Sequence, residues 1–444
     1  MDHLHKEEIK MTQGATEAKR ETGRAMAKTP PYAWVILIVV FLASCSVPIN
    51  MFKVPPIAPV LMQAFGLDVS TFGWLMTSFT VVSIILAFPA AGIVNKFGIK
   101  RVMIVALVSV TTGSLIGTFS NGNAAVLLFS RFIEGIGMGV FGVSAPSALT
   151  AWFPKRRLGL AIGVWSMWMP LGSTVMLNLA PALCGDSNWQ AVWWAGTIYT
   201  VIVLLMVVFL YRSPNAEQVR MAGNDDSISA EQTKQLNVCI PKIAIISICL
   251  IGVAFLLDNI TKNGSFNTYY PTFLMEAKGM DMAAAGLITS VTTFLGAAAS
   301  PLSGFISDKL GDRKWMVVVG TVMLFVAFIW AFSWTTDLGL WFVVIVAGIF
   351  SSVLATVVVA AVPDIMGPSV RGQNLGLAVL ACANGIGSAI GGVALGYLVP
   401  TFGWSTGSHI LFLPILAVAT VMLIAAKWNN RAAFDKLNAA QDDE

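Results

Sequence analysis

Charged residues are scarce in this chain. Only 11% of its 444 residues are Asp, Glu, Lys or Arg, whereas 56% are hydrophobic. Soluble globular proteins are about a quarter charged, so the composition excludes an ordinary soluble domain and indicates an integral membrane protein. The formal net charge of +4 says little about partners because the charges are unevenly distributed. We predict contact with the lipid bilayer and none with nucleic acid.

Residues that bind metals or perform nucleophilic catalysis are also few. The three histidines, His3, His5 and His409, lie in predicted tails or joints. Five cysteines are scattered, mostly within apolar stretches, with no spacing typical of a metal site or a disulfide framework; they are Cys45, Cys184, Cys239, Cys249 and Cys382. No nucleophile–base set is visible. We predict that the protein is not an enzyme and has no metal or cofactor.

A cleavable leader is a third absence. Residues 1–31 are polar and mixed in charge, with neither an apolar core nor a cleavage pattern, so they do not read as a signal peptide. We predict a cytoplasmic N-terminal tail.

What the chain has in abundance is apolar stretches of about 20 residues, each long enough to cross a bilayer as a helix. Polar or Gly/Pro-rich joints separate them. The first and seventh are longer than a straight crossing needs and contain proline, which predicts kinked helices. The twelve predicted spans are 32–62, 70–94, 100–119, 124–149, 157–182, 190–211, 241–275, 281–306, 314–333, 337–363, 372–400 and 404–427.

The positions of Lys and Arg predict the orientation. Of 27 such residues, Lys53, Arg131 and Lys262 lie deep in spans and Lys278 follows an odd-numbered span. The other 23 lie in the tails or at joints after even-numbered spans. Because cytoplasmic loops carry the excess of basic residues, both termini are predicted to be cytoplasmic, and the protein to be a multi-pass protein of the cytoplasmic membrane.

The chain divides into two halves. We predict six-helix bundles at 32–211 and 241–428, a polar cytoplasmic linker at 212–240 and a cytoplasmic tail at 429–444. A segment of eleven residues, AGIVNKFGIKR at 91–101, recurs as GFISDKLGDRK at 304–314. Both copies join the second and third spans of their halves, so the halves are predicted to be a duplication, an arrangement known among secondary transporters.

These features resemble the major facilitator superfamily of transporters. The second copy of the repeat matches the superfamily's loop signature, G-x-x-x-D-[RK]-x-G-x-[RK]-[RK], at every fixed position, and the fourth span carries R-x-x-x-G-x-G as Arg131, Gly135 and Gly137. The resemblance covers about residues 30–428. It implies an all-α membrane protein of twelve helices in two six-helix bundles that rock around a central cavity.

The resemblance also implies that the two repeat segments act as conformational-switch loops. In the superfamily, such loops stabilise one face of the transport cycle through charge contacts with neighbouring helix ends. The first copy departs from the signature at Ala91 and Asn95, so its contacts would depend on hydrogen bonds. The implied switch residues are Asn95, Lys96, Gly98, Arg101, Gly304, Asp308, Lys309, Gly311 and Arg313.

Within the superfamily, the chain resembles the organic-anion symporters in two features. It has a cation in the first span, Lys53, and Arg131 is followed 21 residues later by Trp152-Phe-Pro-Lys-Arg-Arg. It departs in two others, because Phe52 stands where that branch has an acidic residue and Met138 stands where its fourth helix often has a carboxylate.

Five charges, Lys53, Arg131, Glu134, Asp258 and Lys262, lie in the interior of spans and not at their ends, and each is costly there. Glu134 follows Arg131 by three residues and Lys262 follows Asp258 by four, so each pair is expected on one helix face. One interpretation is two internal ion pairs that never touch substrate. The other is that Arg131, Lys53 and Lys262 bind an anionic substrate, since cations and above all arginine suit a carboxylate, while Glu134 or Asp258 carries a coupling proton.

Three further features are candidates. Trp168 could stack on a substrate or pack against helices, and Asn384 could contact substrate or bond a neighbouring helix. In the seventh span, the Asn263-Gly264 step followed by Pro271 predicts an unwound segment that forms an extracellular gate.

The sequence therefore predicts a secondary active transporter that moves a small organic anion, most simply a carboxylate, by alternating access and proton-coupled symport, acting as a monomer. The alternatives are an exporter or exchanger of amphipathic compounds and, in a different class, a membrane sensor that does not transport.

Overall fold

The protein is entirely helical in the residues that its structure, a computed structural model, describes. These are residues 29–214, 240–310, 312–367, 370–430 and 434. Most of the predicted tails and of the linker at 212–240 lies outside them. Fourteen α-helices are described: α1 Pro31–Met51, α2 Ala58–Phe65, α3 Val69–Phe97, α4 Ile99–Thr118, α5 Ala124–Trp152, α6 Lys155–Ser166, α7 Trp168–Cys184, α8 Trp189–Leu210, α9 Lys242–Asn259, α10 Asn267–Glu276, α11 Met282–Leu310, α12 Arg313–Trp330, α13 Asp337–Met366 and α14 Val370–Ala425.

Eleven helical stretches are long and apolar enough to cross a membrane. The last of them, Leu375–Ala425, contains both of the predicted spans 372–400 and 404–427. Its backbone leaves the helical region at Gly403, where φ is 74° and ψ is 173°. A positive φ of this kind is readily available to glycine, so Gly403 interrupts α14 at the predicted joint.

The first and seventh predicted spans are irregular in different ways. The first is broken: α1 ends at Met51, a 3₁₀ turn covers Pro55–Ile57, and α2 follows. The seventh stays helical, but α9 and α10 are joined by a π-helix at Ile260–Phe266. The predicted unwound segment is therefore a widened helical turn, a feature often found at functional sites.

The packing of the helices repeats between the two halves of the chain. In the first half α3 and α4 both pack on α5, and α4 packs on α8; in the second half α11 and α12 both pack on α13, and α12 packs on α14. Across the halves, α3 packs on α14 and α7 packs on α11. These two contacts between the halves border the space in which the candidate site lies.

Several joints are built by ordinary capping. The Asp68 side chain accepts a hydrogen bond from the Thr71 amide at the start of α3, and Asn123 caps α5 in the same way. Such caps satisfy backbone amides that the first helical turn leaves free. The Ser70 hydroxyl and the Thr71 amide also hold the pKa of the Asp68 carboxyl below its usual value.

Candidate functional site

A cavity of about 980 Å³ lies between helices of the two halves. It extends along α11 from Thr292 to Gly304, within about two turns of the end of that helix at Leu310. Leu160 and Met167, which line it, are 58% and 45% exposed. The cavity therefore reaches the molecular surface near the end of the molecule that holds the two repeat segments.

The opposite end, where α3 begins, is closed. The Tyr269 hydroxyl, on α10, lies 2.7 Å from the Gly392 carbonyl oxygen and 3.2 Å from that of Val69, and the tyrosine is fully buried. Thr77 on α3 donates a hydrogen bond of 2.9 Å to the Ala389 carbonyl of α14. The bonds from Tyr269 to Val69 and from Thr77 to Ala389 join the two halves directly.

Backbone contact seals the same end. A Cβ atom added at Gly73 of α3 would come within 2.1 Å of the Gly392 carbonyl oxygen of α14. Real Cβ atoms do not approach this closely, so the two helices can meet here only because position 73 has no side chain. We call this contact, together with the Tyr269 and Thr77 hydrogen bonds, the outer seam.

Lys262 is the single charged side chain among the described residues that line the cavity. It extends from the π-helix, and its ammonium donates a hydrogen bond of 3.0 Å to the Ser351 carbonyl of α13. An ammonium has three protons, and no carboxylate in the described chain lies within 4 Å of it. Lys262 therefore keeps donor capacity for an anion in the cavity.

A ladder of amides stands beside Lys262. Asn263 donates 2.6 Å to the Asn259 side chain and 3.2 Å to that of Asn384, and Asn267 donates 3.1 Å to Asn263. Asn263, Asn267 and Asn384 all line the cavity. Asn384 thus bonds a neighbouring helix and also faces the cavity, and its contact with a substrate stays a prediction.

Asp258 does not pair with Lys262. The carboxyl group is 1% exposed and its Oδ1 atom has no hydrogen-bond partner in the described chain. No ion pair within 4 Å joins it to Lys262, although a regular helix would place residues four apart on one face. The π-helix begins at Ile260, between the two, and its wider turn changes their relative direction.

In the first half, the predicted pair of Arg131 and Glu134 is present and is part of a larger cluster. Glu134 Oε2 contacts an Arg131 Nη, and Glu134 Oε1 lies 2.5 Å from Lys53 Nζ. Lys53 also donates to Ser114 at 3.0 Å and lies over the Trp193 ring. All three charged side chains are 0% exposed. We call Lys53, Glu134 and Arg131 the charge triad.

Backbone carbonyls surround the Arg131 guanidinium. It donates to the carbonyls of Asn50 at 2.8 Å, Leu75 at 3.2 Å and Met51 at 3.3 Å. The break after α1 exposes carbonyls that a continuous helix would use internally. Met51 itself lines the cavity, whereas the members of the charge triad do not. The triad therefore lies directly behind the cavity wall.

Trp168 also lies behind the wall. It stacks on Trp165 with ring centroids 5.8 Å apart, and the Trp165 indole donates to Ser44 of α1 at 2.9 Å. Trp168 is absent from the described cavity lining.

The repeat segments contact helix ends. Arg313 bonds the Ala360 carbonyl and lies 2.8 Å from Asp364 near the end of α13. Lys100 donates to the Val208 carbonyl at the end of α8, and Lys314 does so to Ile424 at the end of α14. Lysine suits the negative end of a helix dipole. Both halves thus bind the end of their last helix with a lysine.

The remaining predicted switch residues are placed as follows. Gly98 joins α3 to α4 with φ 82°, and Gly304 lines the cavity. Lys96, Arg101 and Lys309 are exposed. Gly311 and the side chains of Asn95 and Asp308 are not among the parts of the chain that the structure describes.

Sequence reasoning missed the methionines of the cavity wall. Met138, Met167 and Met169 all line it. One feature of the sequence could have indicated Met138 as a cavity residue, because it stands where the fourth helix of the resembled branch often has a carboxylate.

In the residues that the structure describes, the protein is helical, with many membrane-spanning stretches, a repeated packing pattern and a cavity between its halves, which is the architecture of a multi-pass membrane protein. The family model of the Major Facilitator Superfamily matches residues 40–261 and 248–442. The chain belongs to this superfamily, which is one of transporters and not of enzymes.

Curated relatives are similar over part of the chain. The probable galactarate/D-glucarate transporter of Bacillus subtilis is 25% identical over 62% of this chain and 65% of that protein. The 4-hydroxybenzoate transporter of Pseudomonas aeruginosa is 25% identical over 46% of this chain and 44% of that protein. The chain thus spans less than two thirds of these relatives.

A solved structure supports the fold over nearly the whole chain. The crystal structure of a D-xylose-proton symporter has a TM-score of 0.71 and 14% sequence identity, and the match covers 88% of this chain and 97% of that one. At this identity the similarity concerns the fold alone.

Proposed function

We propose that the protein is a secondary active transporter that carries a small organic anion across the cytoplasmic membrane as a monomer. The observation that carries this proposal is the cavity between the two halves, whose described lining holds one charged side chain, Lys262. The names of relatives that transport galactarate, D-glucarate or 4-hydroxybenzoate support an organic acid.

The proposed topology has twelve spans in two six-helix bundles, with both termini cytoplasmic. The interruption of α14 at Gly403 supports two crossings in that helix, since 51 continuous helical residues would extend about 77 Å, more than twice the hydrocarbon thickness. The basic residues of the repeat segments support a cytoplasmic position for the open end of the cavity.

Transport then proceeds by alternating access. The state described here is open toward the repeat segments and closed at the outer seam. Rocking of the halves would separate Tyr269 from Val69 and Thr77 from Ala389 and would close the opposite end, where the repeat segments bind helix ends. The substrate would be released to the side that is open at each stage.

The anion is proposed to bind Lys262 and Asn384. Lys262 offers free donors, and the amide ladder adds neutral donors and acceptors that fix orientation. Arg131, Lys53 and Trp168 lie behind the wall in this state, so we propose that they act from there: the two cations supply a positive field behind Met51, and Trp168 supports the wall.

Asp258 is the proposed carrier of the coupling proton, with Glu134 as the second candidate. An isolated buried carboxylate is costly, and Lys262 is the nearby cation that offsets this cost. When an anion occupies Lys262, that compensation falls and a proton on Asp258 becomes favourable. Anion and proton would then cross together. Glu134 is less suited because two cations already neutralise it.

Uptake into proteoliposomes with an inwardly directed proton gradient tests the proposal, with 4-hydroxybenzoate, galactarate and glucuronate as labelled probes. Lys262→Met should abolish uptake and counterflow of any transported probe, whereas Lys427→Met, at an exposed lysine near the end of α14, should leave both unchanged. Uptake by Lys262→Met at the normal rate would refute the anion site.

The coupling step needs a separate measurement. Asp258→Asn should lose accumulation against a gradient but retain counterflow, because exchange needs no net proton movement. Asp68→Asn, which alters a carboxyl outside the spans, is the control. If Asp258→Asn still accumulates substrate, Asp258 is not the coupling group; Glu134→Gln then tests the second candidate in the same assay.

An exporter or exchanger of amphipathic compounds is a second candidate, favoured by the apolar side chains of the cavity wall. Counterflow that requires a second organic compound on the opposite side, with no response to a proton gradient, would support it.

A further inference from the structure

The two sides of the cavity differ sharply in chemistry. Of the thirteen described lining residues in the first half, nine have apolar side chains, and four of these are methionines: Met51, Met138, Met167 and Met169. Of the eighteen in the second half, eleven are polar, including Lys262 and the amide ladder. The cavity is therefore amphipathic across the boundary between the halves.

The charge of the cavity sets a limit on the charge of its ligand. Lys262 is the one charged lining residue among those described. The other two intramembrane cations, Lys53 and Arg131, share Glu134 and have no exposed surface. A second carboxylate on the ligand would have no cation in the lining to meet it, and transfer of an unpaired charge from water is costly.

The apolar wall sets a limit on the body of the ligand. Hydroxyl groups placed against methionine, leucine and phenylalanine side chains would lose their hydrogen bonds to water without replacement. Methionine is flexible and polarisable, and it adapts to apolar and aromatic surfaces of varied shape. The first-half wall thus favours an apolar body over a polyhydroxylated one.

We infer that the preferred substrates are monocarboxylates with an apolar body, bound with the carboxylate on Lys262 and Asn384 and the body against the methionine wall. This inference rests on the proposed function as an anion transporter and narrows it. It excludes polyhydroxylated dicarboxylates as preferred substrates.

Binding to the purified full-length protein tests this assignment, with intrinsic tryptophan fluorescence as the readout and four probes. The probes are 3-phenylpropanoate, its neutral counterpart 3-phenylpropan-1-ol, propanoate and galactarate. 3-Phenylpropanoate should bind at least about tenfold more tightly than each of the other three, since it alone combines one charge with an apolar body.

Two variants separate the contributions of the wall and the cation. Met138→Ser should weaken 3-phenylpropanoate about fivefold and leave propanoate unchanged. Met206→Ser, at a methionine of α8 that is also half-buried but lies outside the described lining, should change neither. Lys262→Met should weaken both carboxylates.

The outcomes distinguish an error in the substrate class from an error in the anion function. Tighter binding of galactarate than of 3-phenylpropanoate, or no binding of 3-phenylpropanoate, would overturn the assignment of substrate class while leaving an anion transporter in place. Equal binding of 3-phenylpropan-1-ol and 3-phenylpropanoate, unaffected by Lys262→Met, would overturn the proposed anion function itself.

Discussion

The two halves of the molecule treat buried charge in opposite ways. In the first half, Glu134 lies between Arg131 and Lys53, and all three side chains have partners and no exposure. In the second half, Asp258 has an unpartnered oxygen and Lys262 faces the cavity with no carboxylate within 4 Å in the described chain. The charged groups of the first half thus use their bonding capacity on one another, whereas those of the second half keep part of it for a ligand or a proton.

The difference has a local structural cause. Arg131 and Glu134 lie on the regular helix α5, where a spacing of three residues brings side chains together. Asp258 and Lys262 are separated by the start of the π-helix. The change in helical winding therefore leaves Asp258 and Lys262 near each other but without an ion pair within 4 Å, and chemistry that involves ligand or proton is expected where groups remain unsatisfied.

The largest effect should follow loss of the shared carboxylate. Glu134→Gln would leave two buried cations without their counter-ion, and removal of one partner from a buried ion pair costs about 3–5 kcal/mol. We expect a large fall in the thermal unfolding temperature of the purified protein in detergent and a low yield.

A double variant tests whether the loss of stability comes from the unbalanced charge. The double variant Lys53→Met/Glu134→Gln restores the net charge of the cluster, so it should be more stable than Glu134→Gln alone. If Glu134→Gln unfolds at the temperature of the unaltered protein, the charge triad is not a structural unit and the contrast between the halves fails.

The second prediction compares the two lysines directly. Lys262→Met removes a cation that no carboxylate holds, so it should reduce anion affinity by about 100-fold or more while the unfolding temperature changes little. Lys53→Met should mainly lower the unfolding temperature and reduce anion affinity far less than Lys262→Met does, because Lys53 contacts Glu134 and acts on the cavity only from behind its described lining. Anion affinity, from ligand titration, and the unfolding temperature are measured for both variants. If the two variants lose affinity and stability in the same proportion, the two lysines do not have different roles.

The third prediction concerns the outer seam that joins the halves. Gly73→Val would place side-chain atoms where the Gly392 carbonyl lies, so the outward-closed state should become strained and uptake should fall, by about tenfold for each 1.4 kcal/mol of strain. Gly142→Val, on α5 with no neighbour within 4 Å of an added Cβ, is the matched control. Equal uptake by both variants would show that the seam does not limit transport.

The smallest effect is expected at a partly exposed ion pair. Arg313 and Asp364 are 22% and 33% exposed in their side chains, and pairs of this kind contribute about 0–1 kcal/mol. Asp364→Asn should therefore lower the unfolding temperature only slightly, and less so at high salt. A loss as large as that of Glu134→Gln would mean that exposure does not separate the two kinds of ion pair.

Much of the fold follows from the sequence because it depends on local pattern. Apolar length and the placement of Lys and Arg predict the helical stretches and the division into halves, and the prolines of the first span predict a kinked helix, which the structure shows as a break after α1. The site was less predictable because its contacts are long-range. Lys53 and Glu134 are 81 residues apart, and no spacing rule links them.

Spacing could also mislead. The interval between Asp258 and Lys262 predicts a shared helix face, and the Asn263-Gly264 step predicts unwinding. The first expectation assumes a regular α-helix and the second assumes no helix, whereas the segment forms a π-helix. Its formation depends on packing, since Gly264 lies against Gly391 of α14, and that contact cannot be read from α9 and α10 alone.

The backbone contact between Gly73 and Gly392 bears on leakage during turnover. A barrier made of interlocked side chains lets small ions or water pass whenever a rotamer fluctuates. Where the main chain at Gly73 meets that at Gly392, there is no side-chain rotamer to fluctuate, so this part of the barrier opens only when the two helices separate. Opening then separates the packed surfaces of α3 and α14 and breaks the hydroxyl bonds of Tyr269 to Val69 and of Thr77 to Ala389, each contributing about 0.5–1.5 kcal/mol. Such a barrier combines low proton slippage with a modest activation energy.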